Sequence, residues 1–306
     1  MVRKYNPLKL KGSDKLLQPL SIIMSGYRKW DKPVEKKQPV GIDVPELLCT
    51  LGQMGFASEK DAVLGDWVLI AFYYLLRVGE YTQKSSRQET KQTVEFRMMD
   101  VTFFTDDGPE GKIRQLPLDA SDEDILNAKG ATLRLGNQKN GWKNVCVFHF
   151  ANGDAILCPV RALGRRYVHI CAHSPSNPKE KLSAYFVNGK RFFLRDKDVS
   201  AGLKAAAKRL DYEFGRGIPI DAIDTHSLRA GGANALHLNG YSDREIQKMG
   251  RWTSDTFKEY IRENISIFSE GMSKAMKKDF QFVNVHAGAI KDVTEYAIDT
   301  PYAAAA

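Results

Sequence analysis

Hydrophobic positions along this 306-residue chain change their period several times, and each change marks an element. Residues 44–54 carry apolar side chains at helical spacing, entered through Asp43 as N-cap with Pro45 in the first turn, where a missing N–H costs little. Residues 62–78 contain WVLIAFYYLL, which is apolar all round and predicts a helix buried on every side. From residue 93 the period drops to two, and TVEFRMMDVTFF over 93–104 predicts a strand. The turn residues Asp106-Asp107-Gly108-Pro109 follow, then an extended piece over 112–118. A short helix over 121–128 comes next, with Ser121 and Asp124 spaced as a capping box. Residues 131–138 and 143–150 alternate as two strands, and Asn140-Gly141 between them is a hairpin signal.

The second half is mostly helical in pattern. Residues 158–173 predict a helix with Pro159 in its first turn and a basic face of Arg161, Arg165 and Arg166. A short extended piece at 185–187 precedes a helix over 198–211 bearing Lys204, Lys208 and Arg209, and 211–223 predict a loop. The stretch 224–262 then predicts three helices. The first starts at His226 and Arg229 and contains Gly231 and Gly232, a turn follows at Asn239-Gly240, the second leads to Gly250-Arg251-Trp252, and the third carries Tyr260. A further helix is expected over 268–280, with Lys274, Lys277 and Lys278. Together these elements predict an α+β fold, mainly α, with a small antiparallel β-sheet.

With 43% hydrophobic residues the chain can bury a substantial core. The net charge of +8 points towards polyanions, but its location says more. Residues 1–40 hold ten Lys and Arg against three Asp and Glu, which leaves 35 against 34 for residues 41–306. The excess therefore sits in an N-terminal arm, which holds one helical pattern over 16–30 and linker composition over 31–39. The organisation expected is an arm and linker over 1–40, one domain over 41–265, and a C-terminal helix and tail over 266–306. Cys49, Cys146, Cys158 and Cys171 show no CxxC or metal-type spacing, the first residues have no signal-peptide core, and the longest apolar run is too short for a membrane span. An intracellular setting with no membrane partner is expected.

Several residues carry candidate chemistry. Arg77 ends a very apolar segment, and a guanidinium there needs an anionic partner, which Glu80 three residues on can supply while orienting its fork. Such a pair also suits an ordinary helix end. Lys139 falls at the hairpin tip, where a lysine is either solvated or able to reach a ligand laid across the sheet, with Lys143 as the second choice. His226 and Arg229, three apart, share one helix face. His226 also fits a helix start capped by Asp224, Trp252 also fits a core position, and Tyr260 also fits an amphipathic helix.

In the order Arg77, Lys139, His226-x-x-Arg229, Trp252, Tyr260, the chain resembles the tyrosine recombinase (phage integrase) family. That family's active site runs Arg, Lys, His-x-x-Arg, His or Trp, and a nucleophilic Tyr. The words LLRVGE and THSLRAGGANAL resemble its two Arg boxes, and MGRWTSDTFKEYI resembles the segment leading to the nucleophile. YLLRVGEYT and GRW are similar to recombinases of eukaryotic mobile elements, Crypton-like ones included. The resemblance covers residues 40–265 and implies a DNA breaking-rejoining catalytic domain.

It also implies a site-specific recombinase or integrase acting on double-stranded DNA as a tetramer on paired sites, with neither metal nor other cofactor. Displacement at a phosphodiester builds charge on the non-bridging oxygens, which two guanidiniums can bind bidentately. Arg77 and Arg229 match that role. A tyrosine hydroxyl, with a reference pKa of about 10, needs nearby positive charge to act as nucleophile. Tyr260 matches the family's 3′-phosphotyrosyl residue, Lys139 its leaving-group acid, and His226 and Trp252 its supporting groups. Trp252 stands eight residues before Tyr260, whereas a common family interval is nine and falls on Arg251, so either can fill the His/Trp position. Family members usually carry a helical core-binding domain before the catalytic one, and residues 1–40 read as its remnant or replacement. The resemblance implies the nucleus for a eukaryotic mobile element and otherwise the cytoplasm or nucleoid. Two other functions share these features: a non-catalytic DNA-binding protein derived from a recombinase, and a type IB topoisomerase-like relaxing enzyme.

Overall fold

The computed structural model describes residues 17–28, 37–83, 93–108, 112–136, 143–175, 177–252 and Lys258. Helix α1 (Gln18–Arg28) is followed by α2 (Asp43–Gly52), α3 (Glu59–Tyr73) and the single turn α4 (Val78–Tyr81). Strands β1 (Val101–Asp106) and β2 (Ile113–Gln115), helix α5 (Asp122–Leu126), and strands β3 (Gly130–Leu135) and β4 (Val145–Phe150) come next. After them run α6 (Pro159–His173), β5 (Ala184–Val187), β6 (Lys190–Phe193), α7 (Asp196–Arg209), α8 (Tyr212–Arg216), α9 (His226–Leu238) and α10 (Asp243–Gly250). One antiparallel sheet has the order β2-β1-β3-β4, and β5 and β6 form a separate hairpin. The fold is α+β and mainly α. Residues 1–262 form one compact unit and 263–306 another. Among the described residues, no helix is long and apolar enough to cross a membrane.

Helix α3 is the axis of the core. Ser58 and Asp61 close a capping box at its start, and every residue from Val63 to Phe72 is buried, which its all-round apolar sequence requires. Polar atoms along it find named partners. Trp67 Nε1 donates to the Leu182 carbonyl at 3.1 Å, and its ring stacks on Tyr81 and Phe96. Buried Asp66 accepts from Arg165 at 2.6 Å; burial raises its pKa and Arg165 opposes the rise. At the far end, Tyr74 Oη donates to the Ala131 carbonyl at 3.0 Å, while His149 Nε2 lies 2.9 Å from the Tyr73 carbonyl. These two bonds dock the β3–β4 hairpin on the end of α3.

The hairpin expected around Asn140-Gly141 has Leu135 paired with Val145 at its last rung. Ser121 and Asp124 make the expected capping box of α5. Four expectations are corrected. Asp43 does not cap α2, because its carboxylate accepts from Tyr212 Oη at 2.8 Å and from Arg216, tying α2 to α8. The strand expected over 93–104 begins only at Val101. Before it, a 3-10 turn at Met98–Asp100 forms because the Asp100 carboxylate takes the Arg97 N–H at 3.1 Å and Arg134 at 2.7 Å.

Two of the three arginines expected on a basic face of α6, Arg165 and Arg166, turn to partners in the core instead. Arg166 is 2% exposed and donates to the Leu182 and Ala184 carbonyls, and burial pulls its guanidinium down to about 10. Arg165 is spent on Asp66, so this charge holds the core together. Finally, the loop expected over 211–223 contains α8 and a 3-10 turn at Ile220–Ala222. The turn between β5 and β6 repeats the Asn-Gly hairpin chemistry, with positive φ at both Asn188 and Gly189.

His149 makes stability depend on pH. Burial lowers its pKa to about 4, against the opposing pull of the Tyr73 carbonyl, and His169 is lowered to about 4 as well. In the unfolded chain a histidine titrates at about 6.5, so between these values the unfolded state binds the extra proton. This contribution is therefore complete above about pH 6.5 and is lost as pH falls towards 4. A difference of this size corresponds to roughly 3 kcal/mol for His149. Urea midpoints should fall from pH 7 to pH 4.5, and His149→Gln, which keeps a donor for Tyr73, should flatten that fall. An equally steep fall in the variant would remove His149 as its source.

Candidate active site

The site begins where α3 fails to continue. Apolar pattern alone predicts helix to residue 78, but regular helix ends at Tyr73 and Leu75 adopts a left-handed conformation with φ 49°. The chain then passes through Leu76 to Arg77, which is extended and stands as N-cap of α4. A left-handed non-glycine residue costs about 1–2 kcal/mol. The return is a carbonyl, that of Leu75, directed at two guanidiniums: Arg229 Nη1 donates to it, and Arg251 Nη2 donates to it at 2.8 Å. Hydrogen bonds from charged donors contribute about 1.5–3 kcal/mol each, enough to offset the strain.

Glu80 is the carboxylate of the cluster and is 1% exposed. It accepts the Arg77 backbone N–H at 2.9 Å, Arg77 Nη1 at 3.3 Å and Arg251 Nη2 at 3.4 Å. The expected local pairing of Arg77 with Glu80 is thus present, and it is shared with a third side chain from the distant end of α10. Arg77 keeps its side chain 25% exposed, so it reaches solvent from a cluster that is otherwise inside.

Arg229, 2% exposed, lies on the first turn of α9 and also donates through Nη2 to the Gly250 carbonyl. Its guanidinium lies 4.1 Å from the centre of the Trp252 ring. That ring fills a small apolar pocket with Leu75, Ala233 and Ile246. Gly250 leaves room for it, since a β-carbon there would collide with the indole. Arg251, 1% exposed, takes a left-handed conformation with φ 58° that ends α10 and turns its side chain to Leu75 and Glu80. Burial lowers its pKa, Glu80 raises it, and the like charge of Arg77 lowers it again. His226 is the first residue of α9, exposed, and on the same helix face as Arg229.

The fold therefore brings Arg77, Glu80, Arg229, Arg251 and Trp252 to one place, from three segments far apart in sequence. Both candidates for the His/Trp position are there in different roles: Arg251 bonds to Glu80, and Trp252 faces Arg229. Lys139 and Tyr260 lie outside the described residues, as does the expected helix over 268–280. Lys143 is exposed at the foot of the β3–β4 loop. The acceptor role of Leu75 had no signal in sequence, because a carbonyl belongs to every residue. Gly250 did have one: a residue that must stay small beside a tryptophan. Three guanidiniums gathered around the Glu80 carboxylate and the Leu75 and Gly250 carbonyls can hold an oxyanion at the solvent-facing Arg77.

Neither a protein-family model nor a curated protein matches the chain. Among solved structures it is similar to XerA recombinase, at 16% identity and TM-score 0.44 over 82% of this chain and 67% of that one. It is also similar to XerH site-specific recombinase bound to its difH substrate, at 12% identity and TM-score 0.45 over 81% of this chain and 56% of that one. A third likeness is to the Tn1549 transposon integrase in complex with transposon right end DNA, at 12% identity and TM-score 0.39 over 80% and 68%. The solved structures that the chain resembles are recombinases and integrases.

The shared carboxylate has a measurable cost if it is neutralised. Breaking a buried ion pair by removing one partner costs about 3–5 kcal/mol. Glu80→Gln keeps the shape and the acceptor oxygen but leaves Arg77 and Arg251 without their common charge, and it should lower unfolding stability by about that amount. A urea midpoint equal to that of the parent protein would show that Glu80 does not neutralise the cluster.

Proposed function

We propose that this chain is a DNA strand-cleaving and rejoining domain of the tyrosine recombinase kind, with Tyr260 as nucleophile. The observation that carries the reading is the cluster of Arg77, Arg229 and Arg251 around Glu80 and the Leu75 carbonyl. Arg77, whose side chain opens to solvent while its guanidinium is oriented by Glu80, presents a planar fork that matches an oxyanion. A phosphodiester is the anion that the order of residues 77, 139, 226, 229, 252 and 260 suggests.

In this reading Arg77, open to solvent, holds a non-bridging oxygen of the scissile phosphate, and Arg229, which matches the family's second phosphate arginine, adds its buried positive charge beside it. Their guanidiniums match a charge that grows in the transition state, and both are oriented before substrate arrives. Tyr260 Oη attacks phosphorus, a 3′-phosphotyrosyl bond forms, and the bond to the 5′ oxygen breaks. Lys139, with Lys143 as the second choice, protonates that departing oxygen. The 5′ hydroxyl so released attacks the phosphotyrosine to reseal the strand, and because the ester conserves the bond energy, no nucleotide is consumed. Trp252 acts through Arg229, covering the guanidinium and excluding water from one face, while Arg251 holds Glu80 in place for Arg77. His226, exposed at the start of α9, faces the phosphate and assists proton transfer. Double-stranded DNA is the substrate, and recombination between two sites requires several protomers.

A nicked or suicide duplex, from which the 5′ product is lost, should trap protein covalently on DNA in a form that survives denaturation. Tyr260→Phe should abolish the adduct. Arg77→Ala and Arg229→Lys, checked for folding by circular dichroism, should slow its formation by about 10²–10³-fold while DNA binding persists. A folded protein that binds DNA but forms no adduct on any such substrate would instead be a non-catalytic DNA-binding protein. Relaxation of supercoiled DNA without any paired-site product would identify a topoisomerase-like enzyme.

A further inference from the structure

Away from the guanidinium cluster, and sharing none of its residues, an open cleft of about 340 Å³ lies where β6 and the start of α7 meet the start of α3. Its walls carry four cations, Lys60, Arg191, Arg195 and Lys197, and three aromatic rings, Tyr185, Phe192 and Phe193, the first two stacked on each other. The carboxylate on the wall, Asp198, is already engaged: it accepts from Lys60 at 2.7 Å and from the Arg195 backbone N–H at 3.0 Å. Arg191 is tied to Glu180 at 2.9 Å. Arg195 and Lys197 are exposed, and among the described residues no carboxylate pairs with either side chain.

The rings are built as a platform. Tyr185 and Phe192 are register partners on the β5–β6 hairpin, their centroids 5.7 Å apart and their planes within 23° of parallel. Tyr185 is buried beneath, and Phe192 is 43% exposed. An exposed ring beside two solvent-facing cations offers one surface for a base and another for phosphates. A duplex keeps its bases stacked on one another and has none to give Phe192. An acidic peptide would use the cations and leave the ring idle. We propose that this cleft binds an unpaired nucleic-acid strand, its phosphates on Arg195 and Lys197 and a base on Phe192. The site does not depend on Tyr260 chemistry.

The test is fluorescence anisotropy on the full chain with a labelled oligothymidylate of about 12 nucleotides, a length within the range that such sites cover. Arg195→Glu combined with Lys197→Glu should weaken binding at least tenfold. It should also lower the salt dependence by about 1.4 in log–log slope, the value for two lost phosphate contacts on a single strand. Phe192→Ala should weaken oligothymidylate several-fold yet leave inorganic polyphosphate binding unchanged, since polyphosphate has no base to stack. If the charge-reversed protein does not fold, Arg195→Gln with Lys197→Gln takes its place. Unchanged oligothymidylate affinity in the charge and ring variants would overturn the proposal, as would tighter binding of a poly-glutamate peptide than of the oligonucleotide. Adduct formation on nicked duplex is scored separately: its absence, with strand binding still lost in these variants, would sink the strand-cleavage reading and leave this site standing.

Discussion

One carbonyl oxygen, that of Leu75, receives hydrogen bonds from two buried guanidiniums, and the rest of the candidate site is arranged to make that possible. Helix α3 has to stop, and it does so through a strained left-handed residue. Helix α9 has to come close enough for Arg229 to reach the oxygen, and Gly231 and Gly232 permit this. A β-carbon at the first would meet the Val40 carbonyl, and one at the second the Phe72 carbonyl. Helix α10 has to end against both, which it achieves with Gly250 under the Trp252 ring and Arg251 turned left-handed. Each device is unfavourable alone. They persist together because each helps place an acceptor where a buried charged donor can reach it.

The same logic extends along α3. Its flanks are apolar, yet Asp66, Trp67, Tyr73 and Tyr74 each make a directional bond to a different neighbouring segment. Apolar packing alone tolerates a range of offsets between a helix and a sheet, whereas a hydrogen bond of about 3 Å does not. The ties at Tyr73 and Tyr74 are the ones nearest Arg77, so the β3–β4 hairpin is registered on the same helix end that supplies the first arginine.

Two cationic places on this chain differ in kind. The cluster at Glu80 uses arginine alone, because a planar, weakly hydrated guanidinium can be buried and still satisfy several acceptors. The cleft beside β6 mixes lysine with arginine and stays open to solvent, where a hydrated ammonium costs nothing. The balance of charge over residues 41–306, 35 basic against 34 acidic, hides both, since each is a local excess set against acids elsewhere.

What the sequence determined by itself is local in origin. Among the described residues, the helical periods, the Ser121 capping box, the antiparallel pairing of β3 with β4 and the Arg77–Glu80 pairing follow from residues close in sequence, and these are present. Tertiary structure alone decided where charge points and where elements break. Arg165 and Arg166 look like a solvated face until Asp66 and two carbonyls from the segment after them arrive from elsewhere in the chain. The end of α3 at Tyr73, five residues short of its apolar pattern, depends on guanidiniums more than 150 residues away. Trp252 and Arg251 were interchangeable on spacing, and they part only because one turns to the Arg229 face and the other to Glu80. Periodicity records which side chains must be buried, but not which distant polar group each buried charge will meet, and that partner sets the geometry of the site.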